Sequence, residues 1–240
     1  MPNAYFKFKE FTVYQDRSAM KVTTDSCLFG AWIAQDLSES KEKFTMLDIG
    51  AGTGLLSLMV AQKNNAWIDA VEIDKEAAVQ AAENIASSPW PERIRVIHEN
   101  IIDHKTAGLY NVIISNPPFY ENELASPNKE KNKAHHSTEL SLRQLFEVFY
   151  NNLDEQGVFY ILLPFKREKE AEALLEEFHF HVSKKIMVSP SPVHQPSRIM
   201  LRGSKNNSST LEVSGLIIKD DGQQYSSAFT ELLKDYYLYL

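Results

Sequence analysis

Residues 44–54 read FTMLDIGAGTG, and this stretch decides the fold class that the sequence predicts. It opens with a largely apolar run that is typical of a buried strand. Three glycines at alternate positions follow, and they permit a tight turn and a close approach of a ligand to the backbone. A helix beginning near residue 54 presents its N-terminus to that ligand. The stretch therefore predicts a strand, a binding turn and a helix.

The same alternation of strand and helix continues along most of the chain. Strands are predicted at 44–49, 66–72, 93–98, 110–115 and 156–163, and helices near 54–64, 75–87, 141–153 and 166–178. This order predicts a parallel sheet with helices on both faces. Ligands of such sheets bind beyond the carboxyl ends of the strands, where the strand order reverses. We therefore expect the functional residues at that edge.

The two ends of the chain depart from this pattern. Near the N-terminus we predict a short strand pair over 5–15 and a helix over 25–37 with Asp25 as its N-cap. After residue 179 the pattern predicts strands at 180–189, 195–203 and 210–219 and a final helix at 225–238. One domain is expected over 1–240, divided into an N-terminal hairpin and helix (1–40), a core (41–205) and a C-terminal strand and helix (206–240).

The composition is that of a soluble globular protein, with 43% hydrophobic and 24% charged residues. The sequence contains neither an apolar run of membrane-spanning length nor a signal-peptide pattern. A lone cysteine, Cys27, cannot form an internal disulfide, which fits the cytoplasm. The net charge of -7 argues against tight, non-specific binding of nucleic acid but leaves room for a local basic patch. No metal site and no obligate protein partner are predicted.

The glycine turn has acidic neighbours, Asp48 within it and Glu72 at the end of the next strand. A dinucleotide fingerprint spaces its glycines G-x-G-x-x-G, whereas Gly50, Gly52 and Gly54 are evenly spaced. A pyrophosphate would also be repelled by Asp48, while a cationic ligand would be attracted. These residues favour S-adenosyl-L-methionine, which carries a sulfonium and an ammonium group, and Glu72 is placed to accept the ribose hydroxyls.

A second motif, Asn116-Pro117-Pro118-Phe119, ends the strand at 110–115. The two prolines fix an extended backbone. The Asn116 side-chain carbonyl and the Pro117 backbone carbonyl can then accept both hydrogens of one planar amine, while Phe119 stacks on its ring. The alternative is that Asn-Pro-Pro only ends a buried strand. Because the glycine turn is predicted at a neighbouring strand end, we favour an active site.

These two motifs resemble those of the Rossmann-like class I methyltransferases, whose N-P-P-[FYW] members modify exocyclic or amide nitrogens. The resemblance implies a mostly parallel seven-stranded sheet with small additions at both ends. It also implies that Asp48, Gly50, Gly52, Gly54 and Glu72 bind S-adenosyl-L-methionine. In that family a residue after the third strand lies near the cofactor's adenine, and the matching residue here is Asn100.

Further segments resemble one subfamily, the bacterial tRNA1(Val) adenine-N(6) methyltransferases. The shared segments are MKVTTD at 20–25, LFGAW at 28–32, AHH at 134–136, PSR at 196–198 and YYL at 236–238. Thr23 departs from the glycine usual in that subfamily. The resemblance implies that the N-terminal segment folds over the cofactor, with Lys21 and Asp25 near its carboxylate and amine. It further implies N(6)-methylation of an adenosine at tRNA position 37, in the anticodon region.

Three other activities share the N-P-P-[FY] chemistry. Release-factor glutamine methyltransferases typically carry a separate helical N-terminal domain, and guanine-N(2) methyltransferases of ribosomal RNA usually pair two methyltransferase-like domains. DNA adenine methyltransferases usually need a target-recognition domain. A non-catalytic nucleotide- or RNA-binding module remains as an alternative of a different class. The retained Asn116 and glycines disfavour the module, and the single expected domain disfavours the three enzymes.

Overall fold

The computed structural model describes residues 3–39, 42–106, 108–118, 140–207 and 210–240. The described strands are β1 (Tyr5–Lys7), β2 (Thr12–Tyr14), β3 (Phe44–Ile49), β4 (Ala66–Glu72), β5 (Ile94–His98), β6 (Tyr110–Ser115), β7 (Leu153–Pro164), β8 (His181–Ser189), β9 (Arg198–Ser204) and β10 (Glu212–Ile217). The described helices are α1 (Thr24–Leu37), α2 (Leu55–Lys63), α3 (Lys75–Ala86), α4 (Leu142–Asn152), α5 (Glu168–Glu177) and α6 (Ser227–Leu233).

The central sheet has eight strands within the described residues, in the order β10-β8-β9-β7-β6-β3-β4-β5. All neighbours pair in parallel except β9, which runs antiparallel to both β7 and β8. The strand order reverses between β3 and β6, so their adjacent carboxyl ends form the expected ligand-binding edge. The α/β fold with a mostly parallel sheet is confirmed.

The predicted number of seven strands in the sheet is wrong, because the C-terminal strand joins the sheet as an eighth. Glu212 to Ile217 pair in parallel with Lys184 to Ser189. Without β10, the unpaired backbone groups of β8 would form an open sheet edge, and β10 pairs with them. Only Leu216 of β10 is buried. The strand is thus held largely by its backbone, and its side chains gave little sign of where it pairs.

Apolar side chains cover both faces of the sheet. One cluster joins α1, α2 and α6 to alternate strand residues such as Met46 and Ile114, and the other joins α4 and α5 to residues such as Leu47 and Ile113. This period-two division is what a sheet buried on both sides requires. No helix in the described part of the chain is long and apolar enough to cross a membrane.

Helix α1 begins one residue earlier than expected, and its N-cap is Thr23 rather than Asp25. Thr23 has extended backbone angles, its hydroxyl accepts from the Ser26 amide at 3.2 Å, and Ser26 caps it reciprocally. Sequence could not choose between neighbouring residues that can all cap. Asp25 instead lies in the first helical turn, and its Oδ2 is 3.1 Å from Nε of Arg198.

Candidate active site

The turn after β3 is built on glycines in the left-handed region. Gly50, Gly52 and Gly54 have φ values of 73°, 56° and 80°. L-residues adopt this region with strain, so the sequence pattern is explained by backbone geometry. The space above Gly50 and Gly52 is open, since a Cβ on either residue would meet no heavy atom closer than 4.0 Å. The turn therefore exposes bare backbone to a ligand.

Glu72, at the end of β4, stabilises this turn through hydrogen bonds. It is buried, and its Oε2 accepts from the Gly52 amide at 2.7 Å while its Oε1 accepts from the Asp74 amide at 2.9 Å. Each carboxylate oxygen has two lone pairs, so both bonds leave acceptor capacity. Glu72 thus shapes the glycine turn and retains lone pairs that these two bonds do not use.

Asp48 is fully buried at the base of the turn. Its Oδ2 accepts from the Ser57 hydroxyl at 2.7 Å, whereas its buried Oδ1 has no hydrogen-bond partner among the described residues. Burial raises the pKa of Asp48 to about 7, the charge of Glu72 adds to the rise, and the Ser57 bond opposes it. A buried acceptor without a donor is costly to the fold. Its place under an open glycine turn suits a ligand that carries N–H groups or positive charge.

The second motif leaves the strand next to the glycine turn. Ser115, the last residue of β6, pairs in register with Ile49, and its buried hydroxyl donates to the Ile49 carbonyl at 3.0 Å. Asn116 is half-buried and Pro117 is buried directly beyond this tie. The predicted amine site and the predicted cofactor turn are thus joined at the switch point. Phe119 lies outside the described residues.

A pocket of about 130 Å³ opens beside Asn116. Its lining residues are Met20, Thr23, Asp25, Asn116, Pro117, Leu162 and Arg198. The start of α1 and the residues before it therefore form one wall of the pocket, and the Asn-Pro-Pro segment forms another. The structure places Asp25 and Asn116 in the lining of the same pocket, and the covering of a cofactor by the N-terminal segment stays a prediction.

The other two predicted cofactor residues make local hydrogen bonds. The Lys21 ammonium donates to the carbonyls of Gln15 and Ser18. The Asn100 Oδ1 accepts from the Ile102 amide at 3.1 Å. Lys21 therefore fixes the turn before α1, and Asn100 fixes the turn after β5. Their contact with a cofactor stays a prediction.

Sequence reasoning missed two buried amides on α3, Gln80 and Asn84, which are 0% and 1% exposed. Both bind the segment before α1, and Asn84 also binds the glycine turn. A signal was available in the sequence. Their neighbours Ala77, Ala81 and Ile85 form the buried face of the helix, and a polar residue on such a face must find a partner.

Solved structures place this architecture in a known class. The ribosomal protein L11 methylase of Lactobacillus delbrueckii subsp. bulgaricus superposes with a TM-score of 0.59 at 18% identity, covering 81% of this chain and 84% of that one. At that identity the likeness shows the fold alone. Residues 30–184, more than half of the chain, match the model of the methyltransferase small domain. The fold and the family model together define a class I methyltransferase that uses S-adenosyl-L-methionine, as expected.

Full-length relatives narrow the class. A protein of Dyadobacter fermentans is 39% identical over 98% of both chains, and one of Bacteroides thetaiotaomicron is 35% identical over the whole of both. Each is named tRNA1(Val) (adenine(37)-N6)-methyltransferase. The chain belongs to the family of the tRNA1(Val) (adenine(37)-N6)-methyltransferases. The sequence-based resemblance is thereby confirmed.

Proposed function

We propose that the protein transfers a methyl group from S-adenosyl-L-methionine to N6 of adenosine 37 in tRNA1(Val). Relatives that carry this name match the chain from end to end. The observation that carries the proposal is the Ser115–Ile49 hydrogen bond, because it fixes the Asn-Pro-Pro segment beside the glycine turn. A methyl donor on the turn and an amine at Asn116 then lie at adjacent strand ends.

The glycine turn is the proposed cofactor site. The residues present fit the cofactor, since the open backbone at Gly50 and Gly52 gives it room and the unpartnered Oδ1 of Asp48 gives it an acceptor. In this proposal Gly54 opens α2 beneath the ligand and Glu72 accepts from its ribose. Lys21, Asp25 and Asn100 are proposed at its periphery. The bound cofactor supplies a methyl group already activated by its sulfonium.

The Asn-Pro-Pro segment is the proposed amine site. An exocyclic amine is a poor nucleophile because its lone pair is delocalised into the ring. The Asn116 side-chain carbonyl and the Pro117 backbone carbonyl accept its two hydrogens and direct the lone pair toward the methyl group. Acceptors held in place in this way stabilise the transition state more than the ground state. Phe119 is proposed to stack on a base turned out of the RNA strand.

We further propose that the chain acts as one domain in the cytoplasm, without an obligate protein partner. The anticodon region of the tRNA docks at the carboxyl edge of the sheet, where the pocket opens beside Asn116. The N-terminal hairpin and helix cover the cofactor, and the C-terminal strand and helix complete the core.

The test supplies radiolabelled S-adenosyl-L-methionine with tRNA1(Val), the same tRNA carrying guanosine at position 37, duplex DNA and a release factor. We expect label only in the first RNA, recovered as N6-methyladenosine after digestion. Asn116→Ala should lower kcat by roughly a hundredfold or more. Asn111→Ala is the matched control, because Asn111 lies near the opposite end of β6 and binds the Thr45 amide at 3.0 Å. Label confined to the release factor, or to DNA, would overturn the proposed substrate.

A further inference from the structure

We infer that Asn84 is a positioning residue for cofactor binding, because it fixes the glycine turn and the N-terminal segment relative to each other. The inference rests on the proposed assignment of the glycine turn to the cofactor. Asn84 lies on α3, next to the turn, and belongs to neither of the two sequence motifs.

The Asn84 amide bonds two separate segments at once. Its Oδ1 accepts from the Tyr14 amide at 2.9 Å, and its Nδ2 donates to the Tyr14 carbonyl at 2.9 Å. The same Nδ2 donates to the carbonyl of Thr53, within the glycine turn, at 2.9 Å. The side chain is 1% exposed, so water does not compete for these bonds. Asn84 therefore binds the edge of β2 that does not face β1 and links Tyr14 to the glycine turn.

Gln80, one helical turn earlier on the same face of α3, binds the residues that follow Tyr14. Its Oε1 accepts from the amides of Arg17 and Ser18, both at 3.1 Å, and its Nε2 donates to Asp16 Oδ1 at 2.7 Å. Residues four apart on a helix lie above one another, so the two amides form one row. Together they fix residues 14–18 along the helix.

From this segment, direct contacts continue to the pocket. The Gln15 Oε1 accepts from the Val22 amide at 2.7 Å, and Lys21 donates to the Ser18 carbonyl at 2.8 Å. Thr23 follows and caps α1, and it lines the pocket together with Asn116. Loss of the Asn84 bonds should therefore loosen both the turn that binds the cofactor and the wall that faces it.

The competing interpretation is that Asn84 only stabilises the fold. Asn64 provides a matched control, because it is also buried and its Nδ2 also donates to two carbonyls, those of Ala34 at 3.0 Å and Val60 at 3.2 Å. It lies at the C-terminal end of α2, whereas the glycine turn opens the N-terminal end. A purely structural role predicts equal behaviour of the two variants toward the cofactor.

The experiment measures the Kd of S-adenosylhomocysteine by calorimetry, and the Tm, for Asn84→Ala and Asn64→Ala. We expect both variants to melt earlier, but only Asn84→Ala to raise the Kd, by roughly tenfold. Gln80→Ala loses the bonds to residues 16–18 but keeps the bond from Asn84 to Thr53, so it should raise the Kd by a smaller factor. An unchanged Kd in Asn84→Ala, or an equal rise in Asn64→Ala, would overturn the inference.

Two further variants keep the outcome interpretable. Asn84→Asp keeps the size of the side chain and the acceptor for the Tyr14 amide but turns an oxygen toward the Thr53 carbonyl. It should therefore also weaken binding of S-adenosylhomocysteine, and it provides the test if Asn84→Ala does not fold. Gly52→Ala puts a methyl group into the open turn at a positive φ. If Gly52→Ala leaves the Kd unchanged, the proposed cofactor site itself fails. If only the Asn84 variants leave it unchanged, the positioning role alone fails.

Discussion

Two carboxylates in this molecule, Asp36 in α1 and Asp48 in β3, have opposite surroundings. The Asp36 side chain is 7% exposed and accepts from the Tyr160 hydroxyl and the Lys184 ammonium, each at 2.5 Å. Its Oδ2 also lies 3.1 Å from Nε of Arg202. This cluster joins α1 to three neighbouring strands of the sheet and leaves neither oxygen without a partner.

Asp48 has one partner where Asp36 has three. The Ser57 hydroxyl binds one of its oxygens, and the other is buried with no partner among the described residues. Folded proteins satisfy nearly all their buried polar atoms, so each exception calls for an explanation. The fold satisfies Asp36. Three other buried atoms among the described residues also lack a partner, so it is the place of Asp48 at the base of the open glycine turn, together with its missing bond, that leads us to propose that a ligand completes it. Strongly perturbed acids at the ligand-binding edge of a sheet are candidates for function on the same grounds.

The largest expected effect is on stability, in Asp36→Ala. Removal of the carboxylate leaves Lys184 and Arg202 close together without a counter-charge, and the Tyr160 hydroxyl loses its acceptor. We expect the free energy of unfolding to fall by about 3 kcal/mol. Urea titration measures this loss, and the Kd of S-adenosylhomocysteine should stay within about twofold of wild type. A large change in that Kd would show that the Asp36 cluster also contributes to the ligand site. Asp36 and Asp48 would then not differ in the way described.

The next effect is on binding, in Asp48→Asn. The amide preserves the shape but removes the negative charge, so S-adenosyl-L-methionine should bind roughly thirtyfold more weakly, about 2 kcal/mol. Calorimetry measures the Kd. The variant should be no less stable than wild type at neutral pH, since a charge that burial disfavours is gone. A stability loss equal to that of Asp36→Ala would mean that Asp48 is structural after all.

The glycine turn and its acid were predictable because each depends on local chemistry. Glycine adopts the positive φ at residues 50, 52 and 54 without strain, and an acid that ends a neighbouring strand lies near them. The pairing of β10 was not predictable. β10 pairs through its backbone with the open edge of β8, and the sequence does not show which strand of the sheet has an open edge. The bonds of Asn84 were not predictable either, because Tyr14 and Thr53 meet only in the folded chain.

A smaller effect is the pH dependence of cofactor affinity. Burial raises the pKa of Asp48 to about 7, above the ordinary value of about 3.9 for an aspartic acid. Below pH 7 the carboxyl is neutral, so a cationic ligand must displace a proton. Affinity should therefore fall by up to about tenfold for each pH unit below 7, to a limit of about thirtyfold set by the neutral side chain, and level off above pH 7.

The measurement is the Kd of S-adenosyl-L-methionine at several pH values, taken as the difference between wild type and Asp48→Asn. The subtraction is needed because an α-amino group titrates near 8. Folding stability should show the opposite trend. The neutral form of Asp48 is the one the fold favours, so its contribution is full below about pH 4 and is lost as the pH rises through 7. If the difference in Kd between the two proteins does not change with pH, Asp48 does not contact the ligand.

The smallest expected effect, in Ser57→Ala, isolates the hydrogen bond that the Ser57 hydroxyl donates to Asp48. The Ser57 hydroxyl opposes the rise in the pKa of Asp48, so its loss should move the midpoint of the pH dependence above 7. The lost bond should also cost about 1 kcal/mol of stability. A calorimetric pH series on the variant measures the midpoint. A downward shift would mean that the hydroxyl stabilises the neutral acid, which would contradict the role assigned to Ser57.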